Sequence, residues 1–142
     1  MKNLIKTLRL LVISISILSC SETQSIATNK DNIEQKTLHN NVDSKTFHTL
    51  LTQKLGTLVD VRTKGELSNG KIKGALHIDY YSPDFTSQLA KLDRSKPLFL
   101  YCASGARSRN ARRKIEALGF TEVYNLQGGI NAWQNSGFPT TK

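Results

Sequence analysis

The chain reads as an α/β fold, a mainly parallel central sheet with helices on both faces. Three observations predict it. Short apolar runs at residues 57–61, 98–101 and 122–126 have the length and composition of buried strands. Between them apolar residues recur at helical spacing, as in Phe85, Leu89 and Leu92 or in Ala111, Ile115 and Leu118. The two patterns alternate along the chain, which implies βα units and therefore parallel neighbours.

Residues 1–19 stand apart from that pattern. Lys2, Lys6 and Arg9 form a positive stretch, and residues 10–18 form an apolar one interrupted only by Ser14 and Ser16. This is the pattern of an export signal, too short to span a membrane. Its end, Ile17-Leu18-Ser19-Cys20, resembles the lipobox of bacterial lipoproteins, with isoleucine where leucine is commoner. The resemblance implies cleavage before Cys20, acylation of its thiol, and a lipid anchor facing the periplasm or exterior. Ser21, not being aspartate, favours the outer membrane by the same analogy. Residues 20–41 are then an acylated N-terminus and flexible tether, since residues 21–41 hold only Ile26, Ala27, Ile33 and Leu38 as apolar residues, with no stripe. The folded domain is expected over residues 42–142. A chain of 142 residues has room for one such core.

Within that domain Asp43 or Ser44 caps a first helix, in which Phe47, Leu50 and Leu51 share a face and which Gly56 ends. Residues 57–61 are a strand. Residues 64–73, polar and glycine-bearing, form a loop with one helical turn, and residues 75–79 a short strand. Ser82-Pro83 opens a helix, with proline in its first turn. Residues 98–101 are a strand, residues 109–118 a helix ended by Gly119, residues 122–126 a strand and residues 129–134 a last short helix. Functional groups of parallel sheets gather at the carboxyl ends of the strands, where Asp60 and Cys102 both fall.

The chemistry concentrates after residues 98–101, in Cys102-Ala103-Ser104-Gly105-Ala106-Arg107-Ser108. A strand ending in cysteine, followed by small residues and a helix, presents the thiol to backbone N–H groups. The helix N-terminus and Arg107 add positive charge, which favours the nucleophilic thiolate. The chain has two cysteines, and acylation of Cys20 leaves Cys102 the single thiol, which excludes a C-x-x-C dithiol mechanism. His39, His48 and His77 have no ligand spacing, so no metal site is expected, and the chemistry requires no cofactor. The formal charge of +9 falls to +6 once Lys2, Lys6 and Arg9 are removed. The cluster Arg107, Arg109, Arg112, Arg113 and Lys114 lacks interleaved aromatics, so an attractive field for small anions fits it better than nucleic-acid binding.

Four segments in order resemble those of rhodanese domains, the sulfurtransferase module. They are Leu58-Val59-Asp60-Val61-Arg62 with Glu66, Asn69-Gly70-Lys71-Ile72-Lys73-Gly74-Ala75, the Cys102 loop, and Leu126-Gln127-Gly128-Gly129-Ile130-Asn131-Ala132-Trp133. Lys71 and Lys73 depart from the histidine and proline usual in the second segment, positions that shape a turn. The resemblance implies a rhodanese-like α/β fold, with Cys102 and Arg107 as catalytic residues. Ala103, Ser104, Gly105, Ala106 and Ser108 then form the substrate-binding loop, and Asp60, Arg62 and Glu66 support it.

Spacing selects the electrophile. Four residues separate Cys102 from Arg107, whereas protein tyrosine phosphatases and their relatives have five. A shorter loop makes a tighter ring of N–H groups, suited to a terminal persulfide sulfur. The expected partners are a small anionic sulfur donor such as thiosulfate and a cyanide or thiol acceptor, with the protein acting as a monomer. Two competing readings are a non-catalytic binding or sensing module, disfavoured by the intact cysteine, and a phosphatase or arsenate reductase. Loop length and the missing second thiol disfavour the latter.

Overall fold

The computed structural model describes residues 38–142; the readings made on residues 1–37, Cys20 among them, lie outside these. Across the sheet the order is β1 (Leu38–Val42), β5 (Glu122–Leu126), β4 (Leu98–Tyr101), β2 (Thr57–Asp60) and β3 (Leu76–His77), and every adjacent pair is parallel. Strand β4 lies in the middle because Leu98, Phe99, Leu100 and Tyr101 are all apolar enough to be buried on both faces.

Side-chain alternation divides the interior into two layers. Leu98, Leu100 and Cys102 face Val59, Val61, Phe85, Leu89 and Ile115, under α2 (Phe85–Leu89) and α4 (Arg112–Ala117). Phe99 and Tyr101 face Phe47, Leu126, Ile130 and Trp133, under α1 (Ser44–Gln53) and α5 (Gly129–Asn135). Helices thus cover both faces, as the alternating pattern predicts. Asp43 caps α1 by accepting from the Thr46 N–H at 2.8 Å. One turn on, Phe47 is fully buried and meets the rings of Phe99 and Trp133 edge-on.

Four expectations need correction. Residues 38–41 are not tether but most of β1, which pairs with β5 from Leu38↔Glu122 to Val42↔Leu126. Leu-His-Asn-Asn-Val carries no apolar run because β1 is an edge strand held by backbone hydrogen bonds that any sequence supplies. The strand expected over residues 75–79 pairs with β2 only at Leu76 and His77. The helix expected from Ser82 begins at Phe85, after a turn in which the Phe85 N–H donates to the Ser82 carbonyl. The single helix expected over residues 109–118 starts earlier and is split into α3 (Ala106–Asn110) and α4. At the intervening Ala111, fully buried, ψ flattens to −19°, while its N–H still donates to the Arg107 carbonyl and its carbonyl still accepts from Ile115.

A chain beginning at Val42 loses four of the five β1 residues, whereas one beginning at Glu34 keeps them all. The shorter chain should be less stable by on the order of 2–3 kcal/mol, from ladder bonds that each contribute about 0.5–1.5 kcal/mol. Urea midpoints of the two purified chains check this; equal midpoints would place β1 outside the cooperative fold.

Candidate active site

Strands β2 and β4 run in register, with Asp60 beside Tyr101, so both chains leave the sheet at the same level. After β2 the backbone turns into a 3-10 segment, Lys64–Asn69; after β4 it enters the Cys102 loop. The two stretches therefore meet at the carboxyl edge of the sheet, where side chains can converge.

Cys102 is wholly buried, a condition that by itself describes an inert core thiol. Its polar surroundings distinguish it. Gly105 N–H donates to Sγ at 3.1 Å. Burial pushes the thiol upward, but N–H groups of Ser108, Ser104 and Arg107 and the Ser108 hydroxyl favour the thiolate, and together they hold Cys102 below the ordinary cysteine value. These donors belong to the loop backbone. Two of the amides, those of Arg107 and Ser108, lie in the first turn of α3, the helix N-terminus read from the sequence.

The loop holds its shape because α5 grips it. Ile130 N–H donates to the Cys102 carbonyl at 2.9 Å and Asn131 N–H to the Ala103 carbonyl at 3.2 Å. Such an approach requires a residue without a side chain at 129: a Cβ there would stand 2.4 Å from the Cys102 carbonyl oxygen, and φ is +60°. Gly105, at φ +83°, turns the loop back so that the amides of residues 107 and 108 face the sulfur; a Cβ on it would meet the Leu126 carbonyl at 2.8 Å.

Arg107 reaches across to the 3-10 segment and forms a two-pronged pair with Glu66, at 2.7 and 2.6 Å. Thr63 donates to the same carboxylate through its N–H and hydroxyl. The Arg107 hydrogen bonds, opposed in part by burial, lower Glu66 to about 2. Arg107 is raised in turn, first by Glu66 and also by the nearby Cys102 sulfur. The exposed Tyr81 ring lies under its guanidinium, 5.7 Å away.

Asp60 and Arg62 form a separate, deeper pair. Arg62 donates to Asp60 through Nε and Nη2, to the Gly70 carbonyl through Nη2 and to the Glu66 carbonyl through Nη1. Both side chains are buried, and Tyr101, whose phenol is pushed upward by burial and by Asp60, lies against them. With its donors turned inward, Arg62 braces the 3-10 segment. Of the three residues read as support, Glu66 alone bonds to the Cys102 loop through its side chain.

The structure thus brings Cys102, Ala103, Ser104, Gly105, Ala106, Arg107 and Ser108 together as one loop, with Glu66 at its rim and Asp60–Arg62 beneath. Sequence reasoning missed four residues. The amides of Ile130 and Asn131 were hidden because any residue supplies them, although Gly128-Gly129 marks the place. Tyr81 carries no motif. Asn125, inside β5, donates through Nδ2 to the Gly105 carbonyl at 3.3 Å and to Asn41 at 2.7 Å.

The sequence profile of the Rhodanese-like domain family matches residues 34–136. The chain belongs to the rhodanese-like family. It is 38% identical over 80 residues to the thiosulfate sulfurtransferase GlpE of Stutzerimonas stutzeri, covering 56% of this chain and 71% of that protein. Thiosulfate sulfurtransferase 16, chloroplastic, of Arabidopsis thaliana is 35% identical over 92 residues, covering 58% and 77%. Among solved structures, the rhodanese-related protein of Thermoplasma volcanium superposes with a TM-score of 0.64 at 26% identity, covering 72% of this chain and 98% of that one. The five-stranded parallel sheet with its flanking helices is therefore a rhodanese-like fold.

The Arg107–Glu66 pair makes a pH-dependent contribution to this domain. Glu66 falls from an ordinary 4.5 to about 2 on folding, so between those values the unfolded chain binds a proton that the folded chain does not. The contribution is complete above pH 4.5 and is lost as pH falls through about 2. Glu66→Gln should lower stability at pH 7 and flatten the acid limb of a stability–pH curve. The effect is modest, because 32% of the Glu66 side chain stays exposed and water screens the pair. Urea midpoints at neutral and acid pH check it; an acid limb identical to the wild type would contradict the role.

Proposed function

We propose that this rhodanese-like protein is a sulfurtransferase that carries sulfane sulfur on Cys102. The observation that carries the reading is the Cys102 sulfur set among inward-facing loop donors that favour its anion. Support comes also from relatives named thiosulfate sulfurtransferases.

In the first half-reaction the Cys102 thiolate attacks the outer sulfur of thiosulfate or a similar donor. A sulfur–sulfur bond forms to Cys102, the donor's own sulfur–sulfur bond breaks, and sulfite departs with that electron pair. The persulfide anion then occupies the loop, whose N–H groups stabilise its charge as an oxyanion hole stabilises developing charge. In the second half-reaction cyanide or a thiolate acceptor attacks the outer sulfur, and the electron pair returns to Cys102. Arg107, fixed by Glu66, offsets negative charge at the loop. Arg109, Arg112 and Arg113 line a surface groove with Tyr80 and Asn110, a field that draws in small anions.

Cys102→Ser should abolish thiocyanate formation from thiosulfate and cyanide while leaving circular dichroism unchanged, because a hydroxyl of similar size cannot form a stable persulfide. Turnover within a few-fold of the wild type would remove Cys102 from the mechanism. Inserting one glycine between Gly105 and Ala106 should weaken sulfur retention by widening the ring.

On the sequence of residues 1–21, we propose that the mature protein begins at an acylated Cys20 and is anchored to a bacterial membrane outside the cytoplasm. Membrane fractionation checks this: wild type should partition with membranes and Cys20→Ala should not. Wild type found only in the soluble fraction, with an unmodified N-terminus, would overturn it.

A further inference from the structure

Among the described residues, the buried side-chain polar atoms without a hydrogen-bond partner are three: Ser108 Oγ, Asn125 Oδ1 and His39 Nδ1. All three residues line one cavity of about 20 Å³, bounded by β1, β4, β5 and α3. Buried polar groups are rarely left unpaired, and more than one around a single cavity points to a shared partner. The volume suits one water molecule, which needs roughly 10–15 Å³ and two or more polar neighbours.

The three atoms are not equivalent. His39 Nε2 lies 3.1 Å from the Phe120 carbonyl, and Nδ1 lies 3.0 Å from Glu116 Oε1, so protein oxygens stand beside both of its ring nitrogens. Asn125 and Ser108 have no such alternative. The Gly105 carbonyl only accepts, so the Asn125 amide must turn Nδ2 toward it, which leaves Oδ1 as the unpaired atom. Ser108 is 1% exposed and Asn125 7% exposed, so bulk water satisfies neither. Ser108 Oγ closes no hydrogen bond to the Cys102 sulfur, although that hydroxyl counts among the groups that hold the thiol below its ordinary value, so its proton is there to be aimed.

We propose that a water molecule held between Asn125 Oδ1 and Ser108 Oγ aims the Ser108 hydroxyl at the Cys102 sulfur, which makes Asn125 a positioning residue for the nucleophile. The hydrogen-bond directions close. The water donates one proton to Asn125 Oδ1 and the other to a lone pair of Ser108 Oγ. Ser108, having accepted there, turns its own proton toward the thiolate; no proton changes owner. The charged and titratable groups nearby are Arg107 with Glu66 at the loop and His39, Glu116, Arg109 and Arg112 around the cavity. The inference shares with the proposed function only the assignment of Cys102 as the nucleophile.

The test is a titration of the thiolate by its ultraviolet absorbance, in the full chain carrying Cys20→Ala so that Cys102 is the single thiol. It uses no sulfur donor, so its failure leaves the transfer reaction untouched. Ser108→Ala and Asn125→Leu should each raise the Cys102 pKa by about one pH unit, the size expected for one hydrogen bond to a charged group. The double variant should rise no further than the larger single, because both act through one hydroxyl, and Ser108→Thr should titrate like the wild type. Asn125→Leu titrating as wild type, or two single effects that add, would overturn the proposal; additivity would mean that Asn125 acts only through the Gly105 carbonyl. If Asn125→Leu does not fold, a crystal structure of the wild type decides. A water within hydrogen-bond distance of both atoms supports the proposal, and an ordered cavity without one overturns it.

Discussion

The Cys102 loop keeps its form through a backbone contact with the start of α5. Two carbonyls of the loop accept from Ile130 and Asn131, and Gly129 lets the two chains come within van der Waals range. With those carbonyls turned toward α5, the following amides are free to turn the other way, toward the sulfur. A side chain at residue 129 would push the helix off the loop, and the ring of donors would open. Distant parts of the sequence, the Cys102 loop and the L-x-G-G segment, are therefore one functional unit in space. This is a sufficient reason for the glycines of that segment.

Around that contact the arginines divide their work by depth. Arg62, buried with Asp60, makes nearly all its bonds to the chain on either side of the 3-10 segment and so fixes where Glu66 stands. Glu66 in turn fixes Arg107, which is only partly buried and keeps its charge near the mouth of the loop. A buried pair of this kind is weak support for overall stability, because desolvation of both charges offsets their attraction. Its value is positional: removing either partner leaves the other charge buried and unpaired, so the segment cannot drift without large cost.

Legibility in the sequence followed how each element is held. Strands β4 and β5 are bounded by their own apolar residues, and Leu98–Tyr101 and Glu122–Leu126 could be read to the residue. Strand β1 is held by backbone bonds to β5, so Leu38, His39, Asn40 and Asn41 looked like tether. The apolar stripe of Ala111, Ile115 and Leu118 marked a helix but was silent about the flattened ψ at Ala111, a backbone adjustment within the stripe. In the site, Cys102, Gly105 and Arg107 announced themselves by type and spacing. What escaped were contributions through main-chain atoms, as in Ile130 and Asn131, or through a polar residue inside a strand, as in Asn125, which periodicity assigns simply to the core.

A buried cysteine and a reactive one differ here by a handful of inward-facing donors, and the account stands on those donors being there for a sulfur anion. Intact mass of the purified protein after exposure to thiosulfate tests this most directly. The protein should gain the mass of one sulfur atom, cyanide should remove it, and the gain should map to Cys102. A protein that takes up no sulfur, yet hydrolyses a small aryl phosphate well, would contradict it.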